Sequence, residues 1–176
     1  GVSELIDLTL RALLNDGDEV LVPSPDYPLW TAAVNLNRGR AVHYPCHPHN
    51  DFVPDPAELE ALITPRTRAI VVINPNNPTG AVYPREVLQG VARLAERCGL
   101  VLLCDEIYDQ ILYDGAEFVP MATLVNDTVC VTMSGLSKVY RACGYRVGWS
   151  VVSGKLRGAQ DFLSALELLA SLRLCA

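Results

Sequence analysis

The chain carries two uninterrupted apolar runs, AIVVI at 69–73 and LVLLC at 100–104, and both have the length of a strand. A strand that meets water on one side alternates polar and apolar residues. One that is apolar throughout has to be covered on both faces, which is the condition of a parallel sheet between helices. Parallel strands also need a return segment, normally a helix. The rest of the chain supplies that alternation. A helix is expected over 3–14, where Leu5, Leu8, Ala12 and Leu13 share a face, with Gly17 as its stop. A strand follows at 19–22, a helix at 28–37 and a strand at 40–44. After the proline-rich loop PCHPHNDFVPD, Asp55, Pro56 and Glu58 make a cap, a first-turn proline and a capping box for a helix to about 63. A helix at 84–98, strands at 128–133 and 146–152, and a long helix over 155–175 complete the pattern. The expected fold is α/β, a mostly parallel sheet in three α/β/α layers. Residues 1–154 belong to its body, and 155–176 form a helix leading away from it.

Composition narrows the partners. The net charge of -6 argues against nucleic acid, whose phosphates call for clustered cations. The apolar runs fall far short of the roughly 20 residues that span a membrane. Six cysteines lie scattered without ligand spacing, so reduced thiols, no metal and a cytoplasmic setting are expected. The chain opens on a glycine and stops within a helical pattern, ELLASLRLCA, as an internal piece of a longer enzyme would.

Ligands of such sheets bind at the carboxyl ends of the strands. Three polar clusters fall there. Asp105 follows LVLLC, where a buried carboxylate is costly unless paired; the plain alternative is a cap for a helix through Ile107. Asn77 lies in NPNNPTG, a loop stiffened by prolines that would hold a side chain in one place; the alternative is an ordinary turn. Lys138, in SGLSK, sits among small residues. A partly desolvated amine there would attack carbonyls, whereas most lysines are solvated surface charges. Ser134 and Ser137 add hydroxyls, and Arg146 offers a planar fork for phosphate or a surface ion pair. At the chain's start, GVSEL places Val2 and Ser3 at a helix N-terminus suited to an anion, unless Ser3 is only its cap. Amine, acid, phenolate donors and phosphate cradle together match the needs of pyridoxal 5′-phosphate.

These motifs resemble the fold-type I pyridoxal-phosphate aminotransferases, across essentially the whole chain. NPNNPTG is similar to that family's Asn-Pro-x-Asn-Pro-Thr-Gly loop and CDEIY to its Asp-Glu-x-Tyr segment. SKVYRACGYRVGW is similar to its Ser-Lys-x-x-x-x-x-Gly-x-Arg-x-Gly segment. SPDYPLWTAAV, INPNNPTGAVY and ELLASLRLCA look most like the bacterial alanine (glutamate–pyruvate) aminotransferases. The resemblance implies the aspartate aminotransferase-like large domain, with a small C-terminal domain beyond residue 176. It implies Lys138 as the amine that binds the cofactor covalently and then moves the substrate proton. Asp105 would pair with the ring nitrogen, Asn77 and Tyr108 with the ring's phenolate oxygen, and Tyr27 would stack on the ring. Val2 and Ser3 by backbone, with Ser137 and Arg146 by side chain, would hold the phosphate. One departure is Gly135, where many relatives carry a serine that reaches the phosphate; either Ser134 substitutes for it or that donor is absent.

The implied activity is transamination between an L-amino acid, alanine first, and a 2-oxo acid, by a homodimer. The substrate-carboxylate arginine, the closing N-terminal segment and the neighbouring subunit's tyrosine would lie outside this chain, so the piece alone is expected to be inactive. The same site also serves lyases and synthases acting on amino acids, and regulators that use this domain as a ligand sensor.

Overall fold

The computed structural model describes residues 1–174. The chain runs α1 (Val2–Leu13), β1 (Glu19–Ser24), α2 (Leu29–Leu36), β2 (Arg40–Pro45), α3 (Pro56–Ala61), β3 (Thr67–Ile73), α4 (Arg85–Cys98), β4 (Val101–Asp105), β5 (Val129–Gly135), β6 (Gly148–Gly154) and α5 (Gln160–Arg173). Single 3₁₀ turns occur at Pro48–Asn50, Met121–Thr123 and Cys143–Tyr145. The strands form one sheet in the order β2-β1-β3-β4-β5-β6. The first five are parallel, and β6 runs antiparallel to β5.

The two apolar runs pair directly, Ala69 opposite Val101 and Ile73 opposite Asp105. Their side chains divide between two cores. Ile70, Val72, Leu102 and Cys104 pack with α3 and α4 through Leu59, Leu88, Val91 and Ala95. Ala69, Val71, Ile73 and Leu103 pack with α1 and α2 through Ile6, Leu10, Trp30 and Val34, and Phe162 of α5 joins this side. Burying a Leu, Ile or Val stabilises by about 1.5–3 kcal/mol, so apolar residues on both faces fix β3 and β4 at the sheet's centre. The layered α/β/α expectation holds. Among the described residues no helix is long and apolar enough to cross a membrane.

Several boundaries differ from the sequence reading. α1 ends at Leu13 with Leu14 extended, and Gly17 belongs to the turn into β1. α3 stops at Ala61, short of the expected 63. Asp105 is the last residue of β4 and no helix follows it, so it is not a helix cap. β6 starts at Gly148 rather than 146, because Arg146 is left-handed (φ 54°) and closes the 3₁₀ turn before it. α5 begins at Gln160 rather than 155; Gly158 (φ 91°) turns the chain ahead of it. The expected last position of that helix, 175, lies outside the described residues.

The topology sets the site. The chain leaves β1 for β2 on one side and returns to β3 on the other. Loops after β1 and β3 therefore diverge and leave a crevice at the carboxyl edge. The antiparallel direction of β6 brings its first residues to that same edge, since Gly148 pairs with Gly135 at the end of β5.

Candidate active site

Each strand end contributes one part. β1 leads into Tyr27, β3 into the loop carrying Asn77, β4 ends on Asp105 with Ile107 and Tyr108 beyond it, and β5 leads into Ser137 and Lys138. The turn before β6 carries Cys143 and Arg146, and α1 begins at Val2 and Ser3. All eleven line a single cavity of about 180 Å³. Nine of them, Val2, Ser3, Tyr27, Asn77, Asp105, Tyr108, Ser137, Lys138 and Arg146, are the residues singled out from the sequence. Ile107 and Cys143 were not, although each lies inside a motif already noted.

The Asn77 loop is tied down by its neighbours. Asn74 Oδ1 accepts from the Tyr83 backbone N–H at 2.9 Å. Asn76 donates to the Tyr83 hydroxyl at 3.2 Å and accepts from Thr79, backbone N–H at 3.2 Å and hydroxyl at 2.9 Å. Asn74 and Asn76 are buried, and the bonds their side chains make close the loop on itself. The Asn77 amide has no protein partner among the described residues and is left for the cavity. The same is true of the Tyr108 hydroxyl and the Lys138 amine.

Asp105 is buried, 4% exposed. Its Oδ2 accepts from Trp30 Nε1 at 3.3 Å and its Oδ1 from the Ile107 backbone N–H at 3.4 Å. Burial pushes its carboxyl up to about 6, while Trp30, Ile107 and the Lys138 ammonium pull the other way. Glu106, beside it, is pushed up to about 7 by burial and accepts from the Met121 backbone N–H at 2.9 Å. Two buried carboxyls at the end of a central strand are an expensive arrangement, and only Asp105 lines the cavity.

Lys138 lies over the Tyr108 ring, 5.6 Å from its centroid. The residue is exposed, so the partial desolvation expected from its small neighbours is not present in this chain. Arg146 Nη1 donates to the Ser137 hydroxyl at 3.3 Å and to the Cys143 carbonyl at 2.8 Å. The backbone nitrogen of Gly1 donates to the Arg146 carbonyl at 2.8 Å, which docks the start of α1 against the guanidinium. Ser3 is not the cap of α1: Gly1 holds that position with no side-chain bond. A guanidinium, a hydroxyl and the unpaired N–H groups of a helix start form an anion-holding group.

The Gly135 departure has a steric cause. A Cβ there would lie 2.7 Å from the Val147 carbonyl oxygen and 3.0 Å from the Gly148 Cα. Gly148 is itself crowded, since its Cβ would meet Gly1 at 3.0 Å. The paired glycines let the start of α1 approach the β5–β6 edge. Ser134, buried, is not part of the cavity lining. We expect Gly135→Ala to destabilise the protein by about 1–3 kcal/mol, because the obstructing atoms are backbone and cannot swing aside. Denaturant unfolding measures this, and unchanged stability would contradict it.

Comparison with known proteins follows the same lines. The family described as aminotransferase class I and II matches residues 1–173. The chain is 55% identical over 176 residues to the glutamate-pyruvate aminotransferase AlaA of Escherichia coli K12, covering all of this chain and 44% of that protein. It is 54% identical over 175 residues to the alanine aminotransferase of Mycobacterium tuberculosis, covering 99% of this chain and 41% of that one. Among solved structures, an aminotransferase from Escherichia coli superposes with a TM-score of 0.97 at 55% identity, over 100% of this chain and 44% of that chain. Aspartate aminotransferase from Thermus thermophilus with maleate gives 0.87 at 34% identity, over 97% and 43%. The chain thus spans less than half the length of these relatives.

Proposed function

We propose, for a chain that belongs to the class I and II aminotransferase family, that the cavity binds pyridoxal 5′-phosphate and that the protein carrying it transfers an amino group between an L-amino acid and a 2-oxo acid. The observation that carries this reading is the donor set of one cavity. It holds a buried carboxylate bonded only to neutral N–H groups, an unpaired amine, an unpaired amide and phenol, and a guanidinium grouped with a hydroxyl and a helix start. Those residues fit the cofactor's ring nitrogen, aldehyde, phenolate oxygen and phosphate in turn.

When bound, the cofactor supplies an aldehyde that condenses with amines and a ring that draws electrons from the substrate Cα. The rest falls to the chain. Asp105, once ionised, would hold a proton on the ring nitrogen, an electrostatic arrangement fixed before substrate arrives. Asn77 and Tyr108 would donate to the phenolate oxygen, and Tyr27 would lie beside the ring. Ser137, Arg146 and the N–H groups of Val2 and Ser3 would hold the phosphate. Lys138 would hold the cofactor's aldehyde carbon through its amine, and the same amine, placed in the cavity, would serve as the base that moves the substrate Cα proton.

Alanine with 2-oxoglutarate is the proposed pair, on the names of relatives at 54–55% identity. A homodimer in the cytoplasm, acting on these small molecules and on neither nucleic acid nor membranes, belongs to the same reading. So does the division into 1–154, the central part of the cofactor-binding domain, and 155–176, the lead into a further domain. α5 buries none of its residues and leaves Leu168 and Leu172 exposed, which supports a continuation. The test is a coupled assay of the full-length protein loaded with pyridoxal phosphate. Pyruvate and glutamate should form one for one from alanine and 2-oxoglutarate. No glutamate from this pair, with pyruvate and ammonia released instead from an amino acid carrying a β leaving group such as serine, would mark a lyase.

A further inference from the structure

Trp30 lies in the first turn of α2, fully buried in the cluster of Ile6, Leu10, Val20, Val22 and Val71. An indole has one N–H and no acceptor. In these apolar surroundings that N–H would be an orphan, and leaving it unbonded would be costly. It donates instead to Asp105 Oδ2, a residue 75 positions away, at 3.3 Å. The Ile107 backbone N–H takes the other oxygen at 3.4 Å. Each carboxylate oxygen therefore has one protein donor.

Neither donor carries a charge or titrates in the range that matters. The ionisable groups around Asp105 are Lys138, Arg146, Tyr27, Tyr108 and Cys143 in the cavity, with Cys104 and Glu106 on either side along the chain. Lys138 is exposed, and Glu106 opposes ionisation. Trp30, fully buried, is the one side chain among the described residues that donates to this carboxylate; the other donor is backbone and cannot be altered by substitution. A protonated carboxyl offers this N–H a weaker acceptor than a carboxylate does, so the bond favours the charged form and fixes its plane.

We infer that Trp30 is a positioning residue for Asp105, whose indole N–H keeps the carboxylate ionised and oriented toward the cavity, ready for a cationic ring nitrogen. The inference rests on the reading that pyridoxal phosphate occupies the cavity, and it assigns to Trp30 a part in the chemistry beyond packing.

The test uses the full-length protein freed of cofactor, followed by NMR across pH 4–9. The indole ¹H–¹⁵N resonance of Trp30 should titrate with the same midpoint as the ¹³C carboxyl resonance of Asp105, and should not titrate in Asp105→Asn. In Trp30→Phe, which keeps an aromatic ring and loses the donor, the Asp105 midpoint should rise by about one pH unit, the size expected for losing a hydrogen bond to a charged group. A flat Trp30 resonance, or an Asp105 midpoint unmoved in a folded Trp30→Phe protein, overturns the inference and leaves Trp30 as packing. If Trp30→Phe does not fold, the Trp30 titration in the parent protein decides alone. The cofactor reading fails separately: Asp105→Asn binding pyridoxal phosphate as tightly as the parent would remove that premise, whatever Trp30 does.

Discussion

Replacing Lys138 by alanine is expected to lower the transamination rate of the full-length protein by about 10³-fold or more, with little change in folding stability. The amine is asked to do two jobs, covalent attachment and proton transfer, and positioned proton transfer alone contributes about 10²–10⁴-fold. Lys138 is exposed and its amine makes no hydrogen bond or ion pair with the protein among the described residues, so removing the side chain costs the fold little. The chain has one other lysine, Lys155, whose ammonium pairs with Asp127 at 2.7 Å and does not line the cavity. Lys155→Ala is the matched control and should leave the rate within about twofold, as a surface pair contributes little. Steady-state rates for the two variants, beside denaturant unfolding, check both statements. Equal losses from the two would contradict the assignment.

Asp105→Asn should separate function from stability. Its carboxyl is pushed by burial from an ordinary 3.8 to about 6. An acid raised in the folded state adds no penalty below about pH 4, where it is protonated folded and unfolded alike. Folding stability is then lost as pH climbs from 4 through 6, because the folded state gives up its proton less readily than the unfolded chain. The loss comes to about 3 kcal/mol at neutral pH at the most, and the amide escapes it. Reorganising the bonds from Trp30 and Ile107 takes back part of the gain. The cofactor-free variant should therefore be more stable than the parent by about 1–2 kcal/mol at pH 8, with the difference fading toward pH 4. Turnover should move the other way. An amide offers no counter-charge to a protonated ring nitrogen, and losing one member of a buried pair costs about 3–5 kcal/mol, or roughly 10²–10³-fold or more in rate. Urea melts of the cofactor-free proteins at several pH values, beside rates of the loaded ones, give both numbers. A variant that is less stable at pH 8, or that keeps the parent's rate, would show that the carboxylate is not held ionised against burial for a cation.

Much of this arrangement is legible along the chain because it depends on neighbours in sequence. The runs at 69–73 and 100–104 are apolar at every position, which fixes burial on both faces, and the loops that follow them stand at strand ends whatever the strand order. Where a motif sits next to a strand, its place in the sheet fixes its place in the cavity. What depends on distant contacts is not legible. Nothing local says that Trp30, in an apolar helix, meets Asp105 across the core. The strongest hint is its lone N–H three residues after Tyr27. Arg146 reads as the start of a strand because Val147, Trp149 and Val151 alternate after it. Its carbonyl is drawn to Gly1 and its guanidinium to Ser137 and Cys143, and the backbone turns left-handed to meet them. Gly135 reads as a missing serine until the pairing with Gly148 shows that no side chain fits there. The exposure of Lys138 likewise follows from how its loop lies over Tyr108, which small flanking residues do not reveal.

The central claim is that one amine of this chain carries the cofactor. Borohydride reduction of the pyridoxal-phosphate-loaded full-length protein, followed by peptide mass spectrometry, reads the attachment directly. The pyridoxyl group should be found on the peptide containing Lys138 and on no other, and should be absent after Lys138→Ala. A label on Lys155 or elsewhere, or one that survives the alanine substitution, would contradict it.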